Sequence, residues 1–403
     1  MNGKLNEKKQ IVLYVVMALM LIFLLINIAY AVIQYHDVGV SDFTRRYRES
    51  RYMMAGVSPF DVIYGAHPVI DAIGELPRNS GYPSWAMVIG IITNFAFLSE
   101  RIAEILTFFL MIASIALAAA LLYQFGKRMK WHREHCVLLT LAGLCISGFW
   151  TGLPYLNFGL VAGVLLLGFV LLEKEHPLWA GILLGIASVK PVLAAPFFLA
   201  VLLRRNWKCF VVASAIPLIA LIIGWILTDI SPFTMLSQMN AEGNTYWNNA
   251  FFSGWNWMLQ GGYSTKVCNT MSMIFGIATA LLMWLWLYPS EDRLVWYAIP
   301  AVISGFWTYS QEHDRTVQLI LLLALAVYIM KEKRLSKWMM LCIFACVVYR
   351  RYLVMISEAL GLHIAYQTFD MIYDLILIAA LIVLIVRARK EQEIERISHE
   401  ANA

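Results

Sequence analysis

The run "IVLYVVMALMLIFLLINIAYAVI", residues 11–33, decides the fold class. As a helix rising about 1.5 Å per residue, it is long enough to cross the ~30 Å hydrocarbon core of a bilayer. Lipid offers the backbone no hydrogen-bond partner, so a spanning segment must be a helix or part of a closed barrel. The alternating pattern of barrel strands is absent from the sequence. The run is too long for a signal-peptide core and lacks a small-residue cleavage site, so it reads as a retained signal anchor. Similar apolar runs recur as far as the tail. Composition agrees, since 61% of the 403 residues are apolar and only 14% are charged, against about 25% charged in an average soluble protein.

Outward from this span, basic residues orient the chain. Lys4, Lys8 and Lys9 precede it and put the N-terminus inside. The clusters Lys127/Arg128/Lys130/Arg133, Arg204/Arg205/Lys208, Lys331/Lys333/Arg334/Lys337 and Arg387/Arg389/Lys390 belong on the same side. Twelve spans with both ends inside satisfy all of them, near residues 11–33, 101–125, 136–152, 155–172, 177–190, 192–203, 209–229, 267–288, 293–309, 315–330, 337–357 and 367–387. The spans at 177–190 and 192–203 are short and are expected to lean on each other, turning at Lys190-Pro191. Trp85 to Leu98 is too short for an easy crossing and reads as a helix lying in or dipping into the outer leaflet. The result is a single integral membrane domain over 1–403, with a large outer loop at 34–100, a second at 229–266 and a polar cytoplasmic tail at 391–403. An outer loop as long as the first is expected to be functional. The net charge of +5 sits in short clusters between spans, so no nucleic-acid partner is expected. The six cysteines show neither metal-ligand nor paired-framework spacing and read as small packing residues.

The chemistry collects in the outer segments. In "VGVSDFTRRYRES", residues 38–50, arginines appear where the orientation signals make basic residues scarce. From Asp42 onward, Phe43, Tyr47 and Met54 fall near one helical face while Arg45, Arg48 and Arg51 gather on another, the pattern of an amphipathic interfacial helix. Either Ser41 or Asp42 caps this helix and the arginines touch lipid headgroups, or the arginines bind a phosphate through paired hydrogen bonds. A carboxylate beside such a site stays ionised and could act as a base. His36, Asp37, Lys190, Glu312, His313, Asp314 and Arg315 share that side, and charged groups at membrane depth tend to mark substrate sites. Lys190 could instead snorkel to the interface, and His313 could be a satisfied helix-end residue. Trp247, Trp255 and Trp257 fit an interfacial belt better than a sugar-stacking platform. Arg350 and Arg351 could reach a donor phosphate or lipid headgroups.

Asp42 after the first span, "YRESRYMMAGVSPFD" (47–61), "YPS" (82–84) and "WAGILLGIASVKPVLAAPFFLAVLLRRNW" (179–207) together resemble glycosyltransferase family 87, over about residues 38–330. The order of these loose motifs is the signal. The resemblance implies an all-α membrane protein of the GT-C type, with about 12 transmembrane helices and amphipathic helices in the first outer loop. It also implies a polyprenyl-phosphate-sugar donor. Residue by residue, the family's acidic residue of the first outer loop falls on Asp42, its small-Pro-aromatic segment on Ser58-Pro59-Phe60, and its Tyr-Pro-Pro on Tyr82-Pro83, with Ser84 in place of the second proline. Its Gly-Gln-x-Asn is reduced to "PYLN", keeping Asn157. Its Lys-Pro falls on Lys190-Pro191, its Asn-rich outer segment near Asn248 and Asn249, and its late histidine on His313 in "YSQEHD".

On that reading Asp42 takes the proton from an acceptor hydroxyl that attacks the sugar's anomeric carbon opposite the phosphate, inverting it. Lys190, His313 and one or more of Arg45, Arg46 and Arg48 stabilise the departing phosphate, while Tyr82, Asn157, Asn248 and Asn249 bind substrate. No cofactor or metal is expected, because cations of the protein already supply the charge. The expected partners are a polyprenyl-phosphate-sugar donor, with mannose the first guess, a glycolipid or glycan acceptor and membrane lipids, at the outer face of the cell membrane. The rival class is a transporter or flippase of a lipid-linked or anionic substrate. Its signatures are midplane sites and similar halves, but the halves here share no similar segments and the polar residues gather at one face.

Overall fold

The computed structural model describes residues 7–37, 42–64, 70–76, 82–246, 265–288, 290, 292–308, 310–331, 337, 340–341, 344, 356–362 and 366–402. Among the described residues the regular structure is helical throughout. Six segments are long and apolar enough to cross a membrane. They are α1 (Glu7–Asp37), α6 (Glu100–Arg128), α12 (Trp207–Thr228), α14 (Thr265–Leu287), the 3-10 turn Glu312–Gln318 continued by α16 (Leu319–Lys331), and α17 (Tyr366–Asn402). A seventh crossing arises if α7 (Arg133–Leu144) and α8 (Ser147–Tyr155), bent by 45° at their junction, are one broken span.

The other apolar segments are shorter than a full crossing. α5 (Ser84–Thr93), α9 (Gly159–Leu172), α10 (Pro177–Ala187), α11 (Pro191–Leu203) and α15 (Arg293–Ile303) have 10–14 residues, so the longest reaches about 21 Å. Four of them coincide with expected spans, and α5 with the expected dipping helix. Among the described residues twelve full crossings are therefore not reached, and most of 337–357 lies outside them. The physical reason lies in what these helices pack against. In α9 eleven residues are buried, and α15 is buried from Val295 to Ile303. A helix apolar on every side reads as a lipid span in sequence but also suits the interior of a bundle. By contrast only 17% of the apolar windows of α1 and of α12 is covered by protein, so these helices present their side chains to lipid. α10 packs chiefly on α12 and α9 and only secondarily on α11.

The inner core is aromatic: the Phe169 and Tyr297 rings meet edge-on at 5.0 Å and Phe197 stacks on Tyr297 at 6.5 Å, geometries that add about 0.5–1.5 kcal/mol per pair beyond burial. Cys136, Cys145 and Cys209 are buried free thiols, and Cys268 is buried. Residues 391–402 continue α17 as helix, and Lys331 pairs with Glu391 at 2.9 Å.

Within the first long loop, α2 (Asp42–Met54), α3 (Pro59–Tyr64), α4 (Ile70–Ile73) and α5 fold onto the bundle. The second long loop opens with α13 (Pro232–Tyr246), which joins the first where Gln238 donates to Asp61 Oδ1 of α3 at 2.8 Å. α2 is packed against α5, α6 and α12, with Phe43, Tyr47, Tyr52 and Met53 buried, whereas Met54 is exposed and does not share the Phe43/Tyr47 face. Tyr47 donates to the Leu98 carbonyl (2.6 Å), Ser50 to Met87 (2.9 Å) and Tyr52 to Gly74 (2.8 Å). The helix is thus anchored on several sides by hydrogen bonds to backbone.

Candidate active site

Four chain-distant segments meet at Asp42. The first is α2 itself. The second is the turn between α8 and α9, where Leu156 adopts the left-handed conformation (φ 48°, ψ 45°), which costs a non-glycine residue roughly 1–2 kcal/mol. That turn aims Asn157, whose amide has only one reading. Its Oδ1 accepts from the Gly159 N–H (2.8 Å) and from Lys190 Nζ (3.2 Å), so Nδ2 points the other way and donates to Asp42 Oδ2 at 2.6 Å. The third segment is the turn between α10 and α11, in which Lys190 caps α11 and Pro191 takes the first helical position, where its missing N–H is harmless. The fourth is the 3-10 turn, begun by a capping box in which Asp314 Oδ2 accepts from the Gln311 N–H at 3.1 Å.

The 3-10 turn can lie this close because the facing helices carry glycine. A Cβ on Gly159 would stand 2.5 Å from Asp314 Oδ1, and one on Gly163 would stand 2.7 Å from Thr316 Cβ. Asp314 is thereby brought to Lys190, Nζ to Oδ1 at 2.9 Å, with both side chains almost wholly buried. His313 Nε2 lies 3.8 Å from the same oxygen. Arg315 pairs with buried Asp374 at 2.8 Å and lies 5.0 Å from the Tyr373 ring, tying α17 to the turn.

A narrow cleft opens against Asp42, lined also by Arg46, Glu49, Ser50, Tyr82, Asn94 and Asn157, with Met87 and Phe158 among its apolar walls. The Arg46 guanidinium lies over the Tyr82 ring, its Cζ 3.2 Å from the centroid, and its Nη1 reaches Glu49 Oε2 at 2.6 Å. Three cations therefore each face a carboxylate: Arg45 with Asp42 (3.5 Å), Arg46 with Glu49, and Lys190 with Asp314. The Arg45–Asp42 contact is the longest of the three, and both its side chains are 25% exposed. Burial pushes the Asp42 pKa up, but His313 when protonated, Arg45, the Asn157 hydrogen bond and Lys190 together outweigh it and hold the carboxyl below its usual range. Asp42 is thus ionised at neutral pH and faces a cleft, the state a base requires.

Of the residues singled out in the sequence, Asp42, Arg45, Arg46, Tyr82, Asn157, Lys190 and His313 come together here. Lys190 and His313 sit buried behind Asn157 and Asp314 instead of lining the cleft. Arg48 turns away, donating to the Glu75 carbonyl (2.7 Å) and pairing with Glu100 (3.5 Å). Asn248, Asn249, Trp247, Trp255, Trp257, Arg350 and Arg351 lie outside the described residues. Glu49, Asn94 and Gly159 were not picked out in the sequence. Glu49 had a signal, since Asp42, Arg46 and Glu49 are spaced i, i+4, i+7 along one helical face. Among the described residues, no three His, Cys, Asp or Glu side chains come together as metal ligands.

The chain matches glycosyltransferase family 87 over residues 82–357, more than half of its 403 residues. It belongs to glycosyltransferase family 87. No curated protein and no solved structure matches it. The matched region of this family 87 chain holds Tyr82, Asn157, Lys190 and His313, while Asp42 and the α2 arginines precede it. It is a membrane glycosyltransferase.

Proposed function

We propose that this protein is an inverting, metal-independent glycosyltransferase that moves a hexose, mannose as first choice, from a polyprenyl-monophosphate donor to a glycolipid or glycan acceptor at the outer face of the cell membrane. The observation that carries the proposal is the Asn157–Asp42 hydrogen bond of 2.6 Å, made by an amide that Gly159 and Lys190 hold in one orientation. It supports Asp42 as a fixed, ionised base. In the reaction the acceptor oxygen forms a bond to the anomeric carbon and its proton passes to Asp42. The bond from that carbon to the phosphate oxygen breaks, and the electron pair leaves with the phosphate.

Arg45 couples these events. When Asp42 takes up the proton it ceases to be an anion, and the Arg45 guanidinium is released from its 3.5 Å contact as negative charge grows on the departing phosphate. A cation positioned for developing charge stabilises the transition state more than the ground state. Lys190 acts from behind, through Asn157 and through its field, to which His313 adds when protonated. The alternation of the helices supports the outer-face reading. The loops that carry Asp42, Asn157, Lys190 and His313 share one end of the bundle, whereas Lys127/Arg128, Arg204/Arg205 and Lys331 fall at the ends of α6, α11 and α16 away from it.

The test is sugar transfer by full-length protein in lipid nanodiscs, offered a panel of polyprenyl-phosphate sugars, with glycolipid extract as acceptor and chelator present. Wild type should transfer from one donor, and Asp42→Asn should lose about 10²–10⁴-fold while keeping its unfolding temperature. Full transfer by Asp42→Asn would remove Asp42 as the base, and dependence on added metal would remove the metal-independent mechanism.

A further inference from the structure

The lining of the cleft carries two acceptors that the mechanism above does not use. Glu49 is fully buried; its Oε2 receives Arg46, but its Oε1 has no hydrogen-bond partner among the described residues. Asn94, the C-cap of α5, is 2% exposed, and its Oδ1 likewise has none. Both side chains line the cleft. A buried acceptor left unpaired costs about 1–3 kcal/mol, and two in the lining of one cleft match a group that donates hydrogen bonds. A phosphate has only acceptor oxygens and negative charge, so it fits badly beside Glu49. A neutral ring bearing several hydroxyls supplies the donors these two acceptors lack. The Phe158 ring in the same lining suits the apolar face of such a ring.

We propose that Glu49 and Asn94 form the hydroxyl-recognition subsite of the cleft, each accepting a hydrogen bond from a hydroxyl of a glycosyl ring and so selecting which sugar is held against Asp42. The assignment rests on the glycosyl-transfer reading of this site. It also orients the substrate: the ring lies at the Glu49 end of α2 and any phosphate at the Arg45 end. Asp42, Arg46, Glu49 and Ser50 lie along one face of this helix, and the rise from Asp42 to Glu49 is about 10 Å.

The experiment is binding calorimetry on the full chain in nanodiscs with three kinds of probe. Farnesyl phosphate carries no sugar. The farnesyl-phosphate esters of mannose, glucose, galactose and arabinose report a donor ring, and the octyl glycosides of the same sugars report an acceptor ring. Glu49→Gln leaves an amide oxygen for Arg46 but turns an acceptor position into a donor. It should weaken the best glycosyl probe about 10-fold or more, and Asn94→Leu about 3–10-fold, with farnesyl phosphate unchanged in both. Asn94→Asp, which keeps the acceptor, should retain binding. The arm in which affinity falls tells whether the ring belongs to donor or acceptor. Asn94→Leu alters no charge, so it still decides the matter if Glu49→Gln fails to fold. The subsite is overturned if no glycosyl probe binds wild type, if the variants leave glycosyl affinity unchanged, or if they weaken farnesyl phosphate equally. If glycosides bind and depend on both residues while farnesyl phosphate does not bind at all, the subsite stands and the lipid-phosphate donor falls.

Discussion

Replacing Lys190 by methionine removes one charge from a pair that scarcely meets solvent, with side-chain exposures of 2% and 0% and a Nζ–Oδ1 distance of 2.9 Å. Methionine fills a similar volume, so the perturbation is electrostatic. Asp314 would keep its bond from the Gln311 N–H through Oδ2 but lose the cation facing Oδ1. Stranding one member of a buried pair costs about 3–5 kcal/mol. Asn157 would also lose the 3.2 Å bond from Lys190, keeping the Gly159 N–H on its Oδ1 and its own donation to Asp42. Changing Asp314 to Asn as well relieves the stranded charge, because an amide oxygen still serves Gln311 and no anion remains. The double variant should therefore recover about 2 kcal/mol, within the coupling expected for contacting residues. The four members of the cycle would be unfolded in mixed micelles by detergent titration of the full chain. A cost below about 1 kcal/mol for Lys190→Met, the range of an exposed pair, would refute the reasoning, as would a double variant no more stable than the single.

Three further outcomes are expected. The Asp42 pKa is lower folded than unfolded, because the surrounding cations and the Asn157 bond outweigh burial. The ionised state and its stabilisation are therefore complete above the unfolded value of about 3.9 and lost as pH falls through the folded one. The pH–rate profile should show no Asp42 limb between about pH 5 and 7, and Asn157→Leu should move the limb upward; an unmoved limb would exclude that bond as a cause. Gly159→Ala would set a Cβ 2.5 Å from Asp314 Oδ1, and calorimetric unfolding should show a loss of about 1–3 kcal/mol. Arg315→Met should loosen α17 by leaving Asp374 buried without its 2.8 Å cation; faster amide exchange at the start of α17 is the readout, and unchanged exchange would count against that tie.

Much of the site could be read from residue type and order. Asp42, Lys190 and His313 stood out because ionisable residues are rare in so apolar a chain, and Asn157 because of the motif it retains. Which arginine does what could not be read. Arg45, Arg46 and Arg48 occupy neighbouring positions on α2, yet one meets Asp42, one lies on Tyr82 against Glu49, and one leaves for Glu75 and Glu100. A helix turns by about 100° per residue, so adjacent arginines face different neighbours, and those neighbours come from distant segments.

By itself the sequence determined that the chain is helical and lives in a membrane, because backbone groups in lipid have no other way to be satisfied. It also determined where charge is concentrated. The tertiary structure decided which apolar helices are full crossings and which are short pieces of the interior, since hydropathy is the same for a side chain against lipid and one against Phe169. It decided, too, that Lys190 and His313 stand behind the cleft and that Glu49 and Asn94 face into it. Those relations depend on the left-handed turn at Leu156 and on the close approach that Gly159 allows to Asp314, and such approaches exist only once the helices have packed.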